Sequence, residues 1–230
     1  IALSYTTLYA AEHYSRMRCM FDLSCDALHE HLYRHHALRV VDYGCGQGLA
    51  TLALLDYLAD IYPAYHFALE IVLIEPSDLA RQWAESLIQL RAEQLGIFVI
   101  IRSHAVHFDQ LEEAEIGTTA LPLVHLLFNV LDMTSSRHFN VRRLAQHIQS
   151  MASRHLLIAV SPDFPSGKPG FERLVAHLNS PRAVVPFTSL VLDDDELIAP
   201  RFSLYTHRKD SPVRAMGMAL TFEGLTDLPF

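Results

Sequence analysis

Apolar and polar positions alternate along this chain with two different periods. Residues 4–36 carry Leu, Tyr, Met and His at helical spacing. They predict two helices that break near Phe21-Asp22-Leu23-Ser24, with Ser24 or Asp22 capping the second. Residues 38–43 form a short β-type run that ends in glycines. Residues 48–59 return to a helical pattern, with Leu49, Leu52, Ala53, Leu55 and Leu58 on the apolar face. Residues 68–74 are nearly continuously apolar, as expected of a parallel strand buried on both faces. Residues 77–95 predict a long helix capped by Ser77 and closed by Gly96. Strands follow at 97–101, 123–128 and 155–160, with helices at 139–150 and 171–178. Residues 184–192, 202–207 and 215–222 have strand-like composition.

Strand and helix therefore alternate through the middle of the chain, the signature of βαβ units. The expected fold is α/β: a doubly wound, mostly parallel sheet covered on both faces. Residues 1–36 would form an N-terminal helical cap, and residues 37–230 one compact unit.

Composition narrows the class. Half of the 230 residues are hydrophobic, enough for a sizeable core. The formal charge of -8 argues against a protein that grips nucleic acid through its phosphates. Arg142-Arg143 is the one tight basic pair in mid-chain. Cys19, Cys25 and Cys45 are odd in number and lack a repeating spacing, so they predict free thiols in a reducing compartment, the cytoplasm. No apolar run approaches the ~18 residues of a membrane span. The best stretch, 121–133, is interrupted by Pro122, His125, Asn129 and Asp132.

The candidate chemistry lies in Val40-Val41-Asp42-Tyr43-Gly44-Cys45-Gly46-Gln47-Gly48, between the first strand and the helix after it. Glycine there allows a ligand to approach the main chain, and the helix behind presents free N–H groups. A dinucleotide loop would read G-x-G-x-x-G, with a pyrophosphate on the helix N-terminus. Here the spacing is D-x-G-x-G-x-G, and Leu49 stands where the third dinucleotide glycine belongs. Asp42 would repel a pyrophosphate but suits a ligand with an ammonium group. Glu75 ends the second strand, where an acid can accept both hydroxyls of a ribose.

Together these segments resemble a known family. The glycine loop is similar to motif I of class I S-adenosylmethionine-dependent methyltransferases. Ile71-Val72-Leu73-Ile74-Glu75-Pro76-Ser77 is similar to their acidic-loop motif. Residues 124–132 lie where the family's fourth strand ends beside the transferred methyl. The resemblance covers about residues 38–160 and implies a Rossmann-like methyltransferase fold with S-adenosylmethionine as cofactor. It implies that Gly44, Cys45, Gly46 and Gly48 pack against the methionyl part and ribose, with Asp42 holding the amino group directly or through water. Glu75 would bind the diol, with Pro76 and Ser77 near the adenine. His104 and Ala105 would meet the adenine edge, although the family prefers an acid or amide there. Asn129 would lie beside the methyl.

Methyl transfer needs alignment, a dry pocket and, for some acceptors, a base. The sequence therefore names a cofactor better than a substrate. No catalytic residue is assigned, and the acceptor is a small molecule or a protein side chain. The N-P-P-[YF] motif of amino-group methylation is replaced by F-N-V-L-D. Asp132 is the one nearby acid, which argues against a metal site. Competing expectations are a non-catalytic interaction module with this fold and, on weaker grounds, an NAD-dependent oxidoreductase. Among the 14 histidines, His104, His107, His125 and His138 fall near strand ends and read as surface or partly buried polar residues. His31 and His35 read as a solvated helix face rather than a metal pair. Asp193-Asp194-Asp195-Glu196 reads as a solvated loop, and Tyr5, Tyr9, Tyr14 and Arg16 as packing residues, with Arg16 a possible partner for a carboxylate. Cys45 reads as a small packing residue.

Overall fold

A computed structural model describes residues 2–33, 36–63, 67–107, 110, 119–131, 140–150, 154–162, 167–192 and 213–223. Helices α1 (Ala2–Leu23) and α2 (Cys25–Tyr33) come first. Then follow β1 (Ala37–Tyr43), α3 (Leu49–Ile61), β2 (Ala68–Ile74), α4 (Asp78–Leu95) and β3 (Phe98–His104). The second half holds β4 (Leu123–Phe128), α5 (Val141–Ser150), β5 (Arg154–Pro162), α6 (Gly167–His177), β6 (Arg182–Leu192) and β7 (Val213–Glu223). The strand expected at 202–207 lies outside the described residues.

The described strands form one sheet in the order β3-β2-β1-β4-β5-β7-β6. β1 pairs in parallel with both β2 and β4. The chain thus winds outward in both directions from β1, and the strand order reverses between β1 and β4, the place where α/β sheets open a crevice at their carboxyl ends. β7 enters between β5 and β6 and is antiparallel to both. The sheet is therefore mostly parallel rather than uniformly so. Two cores flank it. One holds side chains of α1–α4, among them Phe21, Leu28, Leu54 and Ile88; the other holds those of α5 and α6, among them Leu144 and Phe171.

Local chemistry explains most boundaries. The Ser77 hydroxyl accepts from the Ala80 amide at the start of α4, and Gly96 closes the helix in the left-handed region. Asn140 does for α5 what Ser77 does for α4: its Oδ1 accepts from the Arg143 amide. Ser24 departs from expectation. Its carbonyl accepts from the Leu28 amide, but its hydroxyl is buried without a hydrogen-bond partner, so it caps α2 with backbone alone. β3 departs too. Its residues alternate between exposed and half-buried, so among the described residues the sheet is covered on one face only at this edge. No helix among the described residues is long and apolar enough to cross a membrane.

Candidate ligand site at the carboxyl ends of β1, β2 and β4

β1 ends at Tyr43, and the next five residues turn the chain into α3. The amides of Gly44 and Cys45 both donate to the Ile74 carbonyl, at 2.8 and 3.1 Å, which fastens the loop to the end of β2. Gly44, Gly46 and Gly48 have φ of 64°, 53° and 78°, a region that side-chain-bearing residues enter at a cost of about 1–2 kcal/mol. Two of these glycines differ in what surrounds them. A Cβ on Gly48 would stand 3.0 Å from Ala84 Cβ and 2.9 Å from Ile88 Cδ1, so Gly48 lets α4 approach α3. A Cβ on Gly46 would meet nothing within 4 Å. Gly46 thus faces open space.

Glu75 spans this loop. One carboxylate oxygen accepts from the Gly46 amide at 3.0 Å and the other from the Ser77 amide at 3.0 Å. The Glu75 amide in turn donates to the His104 carbonyl. The acid therefore ties the glycine loop, the N-terminus of α4 and the end of β3 together. A carboxylate has about four lone-pair positions, so two protein amides leave acceptor capacity on both oxygens. Pro76, Ser77 and Ala105 form an exposed rim, and His104 is half-buried beside them. The His104 Nε2 is buried and has no hydrogen-bond partner in the protein.

Asp42 sits deeper than the sequence suggests. It is 1% exposed, and its carboxylate accepts from the Thr51 hydroxyl at 2.8 Å and from the Thr51 amide in the first turn of α3. Burial pushes this carboxyl up to about 7; the Thr51 bonds oppose the rise and the Glu75 charge adds to it. Thr51 is a site residue that sequence reasoning missed. A hydroxyl three residues into the helix after the loop was the available signal. Cys45 is buried, and burial raises its thiol well above the usual range, which fits a packing residue.

At the end of β4, Asn129 adopts φ 57°, and its amide donates to the Val160 carbonyl at 2.8 Å. Its side chain meets His13 of α1: Asn129 Nδ2 lies 3.1 Å from His13 Nδ1. An amide nitrogen can only donate, so Nδ1 accepts and the ring proton sits on Nε2. Burial, then the nearby Arg16 charge, lowers the His13 pKa to about 4, and the ring is neutral at pH 7. His13 was also missed by sequence reasoning; nothing in its helical context separates it from the chain's other histidines. Arg16 pairs with Glu12 at 3.2 Å, and the Tyr14 hydroxyl donates to Asp56 at 2.6 Å. The middle of α1 is thereby fixed against both α3 and the end of β4.

Two histidine expectations are corrected. His125 is fully buried rather than at the surface or partly buried, and His155 beside it is fully buried too. The Tyr43 hydroxyl lies 3.0 Å from His125 Nδ1, and His125 Nε2 lies 2.9 Å from His155 Nδ1, with Phe222 stacked on His155. His31 is 2% exposed and bonded to the Ala27 carbonyl at 2.8 Å, so it belongs to the interior and not to a solvated face. His107 is exposed. Asp132, His138, His35 and residues 193–196 lie outside the described residues, as do the side chains of Tyr5 and Tyr9.

No protein-family model and no curated protein sequence matches the chain. Solved structures do. A SAM-dependent methyltransferase from Methanosarcina mazei aligns with a TM-score of 0.50 at 10% identity, over 86% of this chain and 97% of that one. A protein described as a candidate class I S-adenosylmethionine-dependent methyltransferase from Listeria monocytogenes aligns with a TM-score of 0.50 at 9% identity. The alignment covers 92% of this chain, which spans 61% of the Listeria one. At such identities the likeness establishes the fold: a Rossmann-like α/β sheet of the methyltransferase type.

Proposed function

We propose that this chain is a class I methyltransferase that binds S-adenosylmethionine across the glycine loop and Glu75 and transfers its methyl to a small-molecule or protein acceptor. One observation carries this: Gly46 is held in the left-handed region, faces open space where a Cβ would stand, and is fastened by its amide to Glu75, a partly exposed acid with acceptor capacity left for a diol.

The residues present fit the cofactor. Glu75 keeps lone pairs on both oxygens for two vicinal hydroxyls. Gly44 and Gly46 bring main chain close to the methionyl part, with Cys45 and Gly48 packing beneath. Asp42, behind the loop, supplies negative potential toward an ammonium without touching solvent, so its contact is indirect. His104 offers a buried ring nitrogen beside Pro76, Ser77 and Ala105, where the base would lie. Asn129 stands at the mouth of β4 with its amide orientation fixed by His13. When bound, S-adenosylmethionine supplies a methyl already activated by a positively charged sulfur. The chain's own contribution is to align, to exclude water through α1 and to hold Asn129 in one orientation. Residues 1–36 act as the cap and residues 37–230 as the binding unit. The free thiols Cys19, Cys25 and Cys45 fit work in the cytoplasm.

Calorimetric titration of S-adenosylmethionine and S-adenosylhomocysteine tests the proposal. Micromolar binding by the wild type, lost in Glu75→Ala and Gly46→Val while both stay folded, is the expected result. A well-folded wild type that binds neither overturns it and leaves the interaction-module alternative. Binding of NAD instead would point to an oxidoreductase.

A further inference from the structure

We propose, resting on the function given above, that His13 is a positioning residue for this site. It turns the Asn129 amide so that the carbonyl oxygen, not the amino group, faces the bound ligand, and the site thereby favours S-adenosylmethionine over S-adenosylhomocysteine. β1 and β4 pair with Asp42 opposite Leu126. Continued past the strand ends, the same register brings Gly44 and Cys45 level with Phe128 and Asn129. Neighbouring strands lie about 4.8 Å apart. Asn129 therefore stands across the crevice from the glycine loop, at the point where the strand order reverses. Asparagine suits the φ of 57° at this position, because its short polar side chain tolerates the left-handed region. The turn explains the residue type, but not why the side chain is held by α1, 116 residues away in sequence.

The orientation follows from what each atom can do. Asn129 Nδ2 lies 3.1 Å from His13 Nδ1. An amide nitrogen only donates, so the ring nitrogen accepts and Oδ1 is turned away from His13. Among the described residues, Oδ1 meets no hydrogen-bond donor. It is not one of the unpartnered polar atoms sealed from solvent, and Asn129 itself is half-buried. The clamp is anchored on both sides of His13. The Tyr14 hydroxyl donates to Asp56 of α3 at 2.6 Å. Phe21 packs against Phe128, the last residue of β4, with ring centroids 5.9 Å apart. Met20 fits over Gly217 of β7, where a Cβ would collide with its sulfur. S-adenosylmethionine carries a positive charge on sulfur and polarised methyl hydrogens, and S-adenosylhomocysteine has neither. A carbonyl oxygen attracts such a group, through charge and through C–H···O contact, whereas an amino group repels it. An unclamped amide presents either end, so the bond from α1 fixes the sign of the preference. A site with that preference holds the methyl donor and lets the spent product leave.

Calorimetric titration of both ligands into the full chain tests this, and the readout is the ratio of their affinities. Asp42 and Glu75 also favour a cation, so the ratio is compared between variants rather than judged in the wild type alone. His13→Phe keeps a ring but removes the acceptor, and is expected to shift the ratio toward S-adenosylhomocysteine by about three- to fivefold. Asn129→Gly keeps the left-handed backbone, removes the amide and is expected to shift the ratio as far. His13→Gln, whose carbonyl oxygen accepts from Nδ2, is expected to restore about half of the wild-type preference. A merely structural role for His13 weakens both ligands alike and leaves the ratio unmoved. Nitrogen-15 NMR of the unliganded wild type gives a readout that needs no ligand: His13 Nδ1 is expected without a proton and Nε2 with one. If a variant fails to fold, this tautomer decides. A ring protonated at Nδ1 would mean that Oδ1 faces His13, and it overturns the proposal, as does a ratio unchanged in His13→Phe or Asn129→Gly. A wild type that binds neither ligand defeats the proposed function itself, and this role of His13 with it.

Discussion

Tyr43 and Gly44 are consecutive, yet they belong to regions built on opposite plans. On the Tyr43 side, the row Tyr43, His125 and His155 fills the sheet interior. Each bond in the row uses a donor and an acceptor, and all three side chains are fully buried. On the Gly44 side, the loop is held in the left-handed region, Gly46 borders open space, and Glu75 keeps unspent acceptor capacity. Both regions are polar, and both are partly or wholly buried. What separates a structural polar cluster from a candidate site is whether hydrogen-bonding capacity and volume are used up. By that criterion the histidine row is scaffold and the loop is the candidate site.

The largest way to break the scaffold side is acid. Burial lowers the pKa of His13 to about 4, and burial likewise lowers His31 and holds His125 far below its ordinary value. These rings are neutral in the fold, whereas in the unfolded chain they take a proton near 6.5. Their contribution is therefore complete above about pH 6.5 and is lost as the pH falls below it, by up to about 1.4 kcal/mol per unit for each ring. Asp42 works the other way. Its folded pKa of about 7 favours the fold as pH falls from 7 toward 4 and offsets one of the three. Between pH 6.5 and 5 the fold is therefore expected to lose stability on balance, measured by urea unfolding. His125→Gln keeps a donor and an acceptor in the row but does not titrate, so it is expected to flatten this slope by one proton. An unchanged slope would mean that His125 is protonated in the fold and that the row is not closed.

Within the loop, the two glycines divide the same way. Gly48→Val places a branched side chain at φ 78° against Ala84 and Ile88 of α4. Overpacking and left-handed strain together are expected to cost about 3 kcal/mol of stability. Gly46→Ala meets no atom within 4 Å and is expected to cost about 1 kcal/mol from backbone strain, yet to weaken S-adenosylhomocysteine binding at least tenfold because the methyl occupies the volume of the candidate site. Thermal unfolding and calorimetry on the pair separate the two roles. A Gly46→Ala variant that binds like the wild type would place the ligand elsewhere.

Those contrasts bear on what could be read from the sequence. The glycine spacing, the acid at the end of β2, the Ser77 cap and the Gly96 stop are local signals, each imposed by the backbone within a few residues, and the structure places them as expected. β4 and β5 were equally plain as apolar runs. The meaning of His125 and His155 was not, because a histidine inside Leu-Val-His-Leu-Leu-Phe is tolerated only if a partner 30 residues away in sequence closes its hydrogen bond, and pattern carries no such information. The same holds for His13 and Asn129, which are 116 residues apart, and for β7, whose antiparallel insertion depends on packing across the whole sheet. Asp42 was legible as a motif position but not as a group sealed behind Thr51.

Asp42 gives the next test in size. A ligand ammonium prefers the carboxylate ionised, while burial holds its pKa near 7. Cofactor affinity is therefore expected to rise with pH up to about 7 and level off above it, by no more than tenfold per unit below that point. Calorimetry in buffers of different ionisation enthalpy should detect proton release near pH 6.5. Asp42→Asn is expected to remove both the slope and the proton release while keeping an acceptor for Thr51. A wild-type affinity that does not vary between pH 6 and 8 would show that Asp42 serves only to fasten α3.

The smallest effect expected is at Ser77, and it sharpens the boundary between scaffold and candidate site. Its hydroxyl caps α4 by accepting from the Ala80 amide, whereas its own amide donates to Glu75. Ser77→Ala removes the first bond and leaves the second, because the backbone is untouched. The loss of the cap is expected to cost about 1 kcal/mol in thermal unfolding, with S-adenosylhomocysteine affinity within about twofold of wild type, less than 0.5 kcal/mol. A tenfold fall in affinity would mean that the hydroxyl turns from the helix to the ligand when the ligand binds, and that Ser77, exposed on the rim, belongs to the site. Its hydrogen bond to Ala80 is long, at 3.4 Å, so the exchange would forfeit little, and Ser77 is the place where the two plans meet.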